Sequence, residues 1–209
     1  NFGEGWAFAV ETSEETPTVV TLYRDWYAGD TNCNGVIDAD ETPGYFKYYN
    51  EDDEEYGTIN GALTTEQTMH LTLDLNGHTI SRNLEKPVAN GSVFYINCKT
   101  LYITDSSESQ TGKITGGYTT EYGGAFFFFN NGTIKNLGLL HGNVSISTKN
   151  RSYAGGIAGY NKGAITNCYN TGSVFAASSY GGSIDDVYVG GIVGENLTGA
   201  IVENCYNTG

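Results

Sequence analysis

Apolar and polar residues alternate in short runs along most of the chain. Leu71-Thr72-Leu73-Asp74-Leu75 sets every second side chain on one face, the pattern of a half-buried strand, and Asn76-Gly77 then turns the chain into His78-Thr79-Ile80. The cadence returns at residues 61–65, 93–96, 101–103 and 112–117, with Thr104-Asp105-Ser106-Ser107 as an intervening turn. Near the start, residues 18–27 (TVVTLYRDWY) are rich in β-branched and aromatic side chains and read as the first strand, with the aromatic stretch from Trp6 as a cap. These strands recur roughly every 8 to 12 residues with no helical period between them.

The second half repeats itself. Residues 154–172 read AGGIAGYNKGAITNCYNTG and residues 189–209 read VGGIVGENLTGAIVENCYNTG, so the later copy carries two extra residues in its middle. The Gly-Gly pairs are 35 residues apart (190 − 155) and the cysteines 37 apart (205 − 168). Residues 123–144, GGAFFFFNNGTIKNLGLLHGNV, form a degenerate first copy, with Leu137 near the place of the later cysteines. A period of this size marks a repeat architecture whose units bury their apolar faces by stacking. Three strands per unit, such as 156–159, 164–168 and 173–176, would make the three faces of one coil. Asn167 with Asn204, and Asn170 with Asn207, would form side-chain ladders at the corners.

Two resemblances rest on these residues. LDLNGHTI, LYITDSS and GKITGG, in that order, resemble the opening coils of right-handed parallel β-helix domains in large surface proteins of Gram-positive bacteria. GGIAGYN…ITNCYNTG and GGIVGEN…VENCYNTG resemble the GLUG repeat of bacterial surface proteins, including adhesins and some secreted proteases. The expected fold is therefore all-β: one right-handed parallel β-helix, a solenoid, over residues 1–209. It divides into an N-terminal cap and first strand (1–28), an inserted acidic loop (29–56), early coils (57–122) and GLUG-like repeats (123–209) whose C-terminal end is open.

Composition and charge narrow the partners. With 29 Gly, 16 Tyr and 9 Phe in 209 residues the chain is β-rich, and no stretch approaches the ~20 apolar residues of a membrane helix. A formal charge of −14 with only 10 Lys and Arg repels phosphates, which argues against nucleic acid and anionic membranes. Asn1 in place of Met reads as a processed or excised piece.

The clearest chemistry interrupts the strands at residues 29–41, GDTNCNGVIDADE. Against the twelve-residue calcium-loop template, Asp30, Asn32 and Asn34 fall on the first three liganding positions. Gly35 is the turn glycine, Val36 the backbone-carbonyl ligand, Asp38 the ninth position and Glu41 the last. A hard cation needs six or seven oxygens converging on one point, and a glycine lets the chain turn tightly enough to supply them. The stretch resembles an EF-hand loop of the kind found in dockerins and other secreted calcium modules. Pro43 and Gly44 discourage the helix that would follow such a loop, so a lone calcium loop within a β-protein is expected. The bland alternative is a solvated Asx-rich turn without metal.

Other candidates are weaker. Parallel β-helices also serve as pectate lyases and polygalacturonases, yet after the acidic insertion Asp185-Asp186 is the only adjacent carboxylate pair. His70, His78 and His141 are isolated, and Arg24, Arg82 and Arg151 are the only arginines. The four cysteines are too sparse for a disulfide scaffold; Cys168 and Cys205 read as inward free thiols in preference to a bridge. Tyr160, Tyr169 and Tyr206 read as cover for the stack in preference to sugar platforms. The expected function is a non-catalytic extracellular module at a bacterial cell surface, or secreted, with structural Ca²⁺. It would bind a glycan or protein of a host or neighbouring cell. A structural subunit assembling end to end from copies of itself is the alternative, and a polysaccharide-degrading enzyme a more distant one.

Overall fold

The alternating runs become strands that lie side by side in the same direction. The computed structural model describes residues 18–30, 32, 34–46, 58–59, 62–65, 70–89, 91–96, 100–109, 111–119, 123–124, 126–136, 138–139, 143–148, 152–178 and 186–209. Among these, every regular element is a strand, and the strands form six sheets, two of six strands and four of three. No helix long and apolar enough to cross a membrane occurs among them. All the pairings are parallel except that of Thr58–Ile59 with Ala62–Thr65. Parallel neighbours need a long connection between them. Here that connection is made of strands belonging to other sheets, so the chain returns to each sheet once per repeat.

The repeat unit has five strands where the sequence suggested three. Ser152–Gly155, Ala158–Asn161, Ala164–Thr166, Tyr169–Asn170 and Val174–Ser178 lie in five different sheets. Two corners account for the difference. At Gly155-Gly156 the chain bends so tightly, and so close to the next unit, that a Cβ on Gly155 would overlap Ala158 O of its own unit and one on Gly156 would overlap Gly191 O of the next. At Asn167 the backbone turns left-handed (φ 54°), which ends the strand expected to run on through Cys168. Strands Gly123–Gly124, Phe127–Asn130, Thr133–Lys135, Gly138–Leu139 and Asn143–Thr148 pair one for one with those five. The degenerate copy therefore has the architecture of the clear ones.

Alternation decides what is buried. Val20, Leu73 and Ile103 stand in register across Thr18–Thr21, His70–Asp74 and Thr100–Thr104, while Val19, Thr72 and Tyr102 between them face outward. Trp26, Ile80 and Ile114 form a second buried row, and Ile134 with Ile165 a third. All belong to one apolar core. The first step is longer than the rest, because Thr18 faces Leu71 across 53 positions (71 − 18) whereas Leu71 faces Leu101 across 30 (101 − 71). The inserted loop accounts for the excess.

Ser152 is fully buried and its hydroxyl has no hydrogen-bond partner among the described residues. The residue in register with it in the next unit is Val187. Desolvating a hydroxyl without a partner is unfavourable. Ser152→Ala is therefore expected to raise stability by about 1 kcal/mol, read as a higher urea midpoint with an unchanged slope.

Asp105, at the end of Thr100–Thr104, staples two turns. Its carboxylate accepts bonds from Gly77 N (2.8 Å), Ser107 N (3.1 Å), Ser107 Oγ (2.7 Å) and Gly112 N (2.5 Å). Burial pushes its pKa up, but these bonds together outweigh burial and hold it below the usual carboxylate value. A depressed folded pKa means stability present above the unfolded value of about 3.9 and lost as pH falls through the lower, folded one. Asp105→Asn should be less stable than the parent at pH 7, with the two unfolding curves converging below about pH 4.

Candidate metal centre

The loop hangs from a closed foot. Trp26–Tyr27 pairs with Thr79–Ser81, and Ala28 continues that pairing with its N–H on Ser81 O (2.8 Å). Gly44 N returns to Ala28 O (3.2 Å), so residues 29–43 leave and rejoin the sheet at one point. Beneath the foot, Phe46 is fully buried with its ring 4.7 Å from that of Trp26. Arg82, only 1% exposed, donates from Nε to Gly44 O (3.1 Å) and from a terminal nitrogen to Ser92 O. Burial pulls its pKa down to about 10, which still leaves it cationic at neutral pH, and the nearby Tyr45 acts in the opposite direction.

Within the loop the polar groups are turned onto one another. Asp30, 6% exposed, accepts Asn34 N at Oδ1 (3.0 Å) and Gly35 N at Oδ2 (2.8 Å). Asn32 Oδ1 accepts Asn34 N (2.9 Å), and Asn34 Oδ1 accepts Val36 N (2.8 Å), two successive Asx turns. Glu41 reaches back to Asn32 N (3.2 Å) and Asp38 N (3.0 Å). The amides of Asn32 and Asn34 both donate to Asp38 Oδ2, at 2.8 and 2.9 Å. Gly35 has φ 88°, the left-handed conformation the turn position requires.

All five liganding side chains expected from the sequence, Asp30, Asn32, Asn34, Asp38 and Glu41, thus belong to one hydrogen-bonded loop. Val36 joins through its N–H and leaves its side chain in solvent. Among the described residues no group of three or more His, Cys, Asp or Glu side chains could by itself hold a metal. Each of the five side chains carries an oxygen, the donor a hard cation takes; in the structure the amide oxygens of Asn32 and Asn34 accept Asn34 N and Val36 N while their NH2 groups face Asp38. Two of the five are neutral amides, which suits weak binding.

Away from the loop, the expected Asn ladders are present. Asn170 Nδ2 donates to Asn207 Oδ1 (2.9 Å), and Asn204 Nδ2 to Asn167 Oδ1 (3.2 Å), which continues to Asn136 (2.9 Å). A third ladder, Asn130 to Asn161 to Asn196 (2.7 Å each), went unread in the sequence, although Asn-x-Gly at 130–132 and 161–163 repeats the signal of 170–172. Arg82 also went unread; the alternation from Ile80 already set it on the inward face.

The tyrosines stack ring on ring. Tyr169 and Tyr206 lie 5.2 Å apart at 6°, Phe129 and Tyr160 5.0 Å apart at 19°, and Tyr153 and Tyr188 5.3 Å apart at 18°. Stacked rings cover each other's faces, so a sugar would meet mostly edges. His78 Nδ1 lies 3.5 Å from Asp25 Oδ1, and Asp186 Oδ2 accepts the Tyr188 hydroxyl (3.3 Å). His141, Arg151, Asp185, Cys33 and Cys98 lie outside the described residues.

Fold and loop together define an all-β protein of parallel strands stacked in tandem units. Two of those units, residues 150–174 and 185–209, match the GLUG motif. No curated protein and no solved structure matches the chain.

Proposed function

We propose that the chain is a non-catalytic extracellular module of a bacterial surface or secreted protein, built as a right-handed parallel β-helix, with structural calcium in loop 30–41. The observation that carries the reading is the loop itself: five oxygen-bearing side chains gathered around Gly35 on a foot buried by Trp26, Phe46 and Arg82. The ion would be held by Asp30, Asn32, Asn34, Asp38, Glu41 and the Val36 carbonyl. Bound there, it would replace the mutual hydrogen bonds with stronger charge interactions and stiffen the insertion. The stacked units would present a long β face to a glycan or protein of a host or neighbouring cell.

Calcium loops of extracellular modules bind at about 10⁻⁴ to 10⁻³ M. At a Kd near 10⁻³ M, 10 mM calcium adds about 1.4 kcal/mol, or about 3–6 °C in Tm for a chain of this size. Titration calorimetry should show uptake of one ion, and Asp30→Ala or Glu41→Ala should remove both the heat and the Tm shift. Absence of heat and of any shift in the parent chain would overturn the calcium reading.

Sedimentation and a glycan array test the adhesion part of this reading: a monodisperse species that binds on the array supports it, and polymers that grow with concentration would point to end-to-end assembly of copies instead.

A further inference from the structure

We propose that Tyr169 and Lys113 hold a hexuronate ring between them, over Gly138, at a subsite that rests on the glycan-binding reading and gives it a place and a sugar class. The outward column of one sheet runs Thr79, Lys113, Gly138, Tyr169, Tyr206. Thr79 is in register with Lys113, Gly138 with Tyr169, and Tyr169 with Tyr206; Leu139 opposite Ile114 sets Gly138, one position back, opposite Lys113. The inward column beside it carries Ile80, Ile114 and Asn170, all fully buried.

The position that the two later units fill with tyrosine is glycine in the first. Tyr169 and Tyr206 stack at 5.2 Å and 6°, so one face of the Tyr169 ring is covered. The other face is turned toward the preceding unit, over a residue without a side chain, and among the described residues no ring lies against it. Rungs of a sheet lie about 4.8 Å apart, which puts Lys113 and Tyr169 about 9.6 Å apart at the backbone with one empty rung between them. A six-membered ring stacked on Tyr169 takes the place that an aromatic ring at 138 would have. A pyranose suits that place, because the C–H groups of its face meet the negative face of the tyrosine while its hydroxyls stay at the rim, in water.

Charge selects among pyranoses. Between Glu108 and Asp185 the chain carries Lys113, Lys135, Lys149, Arg151 and Lys162 against the single acid Glu121, a local +4 (5 − 1) within a total of −14. Lys113 is exposed. The carboxylate further down its column, Asp25, lies beyond Thr79 and is engaged by Thr79 N (2.8 Å), the Tyr27 hydroxyl (2.9 Å) and His78 (3.5 Å). A hexuronate carries its carboxylate equatorially at the ring's rim, which leaves the face free for Tyr169 and brings the charge to the Lys113 ammonium. Asn136, exposed two positions before Gly138, accepts Asn167 Nδ2 at its oxygen (2.9 Å) and so keeps its own amide hydrogens for a ring hydroxyl.

The test titrates tetragalacturonate, with the neutral cellotetraose as control, into the ¹⁵N-labelled whole chain in calcium-free buffer. The expected result is saturable shifts at the Lys113, Gly138 and Tyr169 amides with a Kd of about 1 mM, and a weaker response to the neutral sugar. Tyr169→Ala should weaken binding about threefold to tenfold. Lys113→Met should weaken it about twofold to fivefold, and added salt should act in the same direction. Gly138→Tyr extends the ring column of the later units, so shifts elsewhere should stay in place while binding is lost. Binding of tetragalacturonate that survives both Gly138→Tyr and Tyr169→Ala overturns the subsite and leaves the glycan-binding reading standing. So does a glycan array on which the chain takes neutral sugars but no hexuronate. No binding to any glycan on the array overturns both.

Discussion

Replacing Arg82 with alanine is expected to lower stability by about 3–5 kcal/mol, the range for emptying a large buried side-chain volume while its hydrogen bonds are lost. The guanidinium is the largest fully buried side chain, and it joins Gly44 at the exit of the loop to Ser92. Its removal leaves a cavity and takes the bonded donors from both carbonyls. Arg82→Lys keeps the charge, but an ammonium is a point donor without the fork that spans two carbonyls. An intermediate loss is expected there. Urea unfolding measures both, and a loss below about 1 kcal/mol for Arg82→Ala would show that the foot does not depend on this side chain. Because Arg82 also fixes Gly44, the alanine variant should shift less in Tm on adding calcium than the parent.

Asn161→Ala is expected to cost about 2–4 kcal/mol, because the side chain is itself fully buried and holds four partners at once, the buried Asn130 among them. Asn161 Oδ1 accepts from Asn130 Nδ2 (2.7 Å) and Gly163 N (3.3 Å), while its Nδ2 donates to Asn196 Oδ1 (2.7 Å) and Ile201 O (3.1 Å). The residue is fully buried, and truncation strands polar atoms in three consecutive units. Asn167→Ala makes the contrast. That side chain is exposed and its backbone left-handed, so the expected loss is about 1–2 kcal/mol, mostly from the conformation. Equal losses at the two positions would mean that burial is not what gives the inner ladder its weight.

The sequence was informative where local period governs. Alternation at 71–75 set Leu71, Leu73 and Leu75 inward, and all three are fully buried. The repeated CYNTG placed Cys168 opposite Cys205 and Asn170 opposite Asn207 before any pairing was known. The spacing of Asp30, Asn32, Asn34, Asp38 and Glu41 named side chains that the structure links by hydrogen bonds, because a turn of this kind is set by residues a few positions apart. Strand count was harder, since the corners lie in a tight bend at Gly155, a close approach of the next unit's backbone at Gly156 and a left-handed residue at Asn167, none of which breaks the apolar alternation.

By itself, then, the sequence determined which faces point inward, the register of the repeat and which polar side chains share the loop. Each of these depends on residues close in the chain or on the copying of one stretch into another. Only the tertiary structure decided that Phe46 packs under Trp26, that Arg82 ties Gly44 to Ser92, and that Asn130, Asn161 and Asn196 share a ladder whose first two members are buried. Those contacts join segments tens of residues apart without a shared motif. Their energies come from burial and mutual satisfaction, and these exist only once the units are stacked.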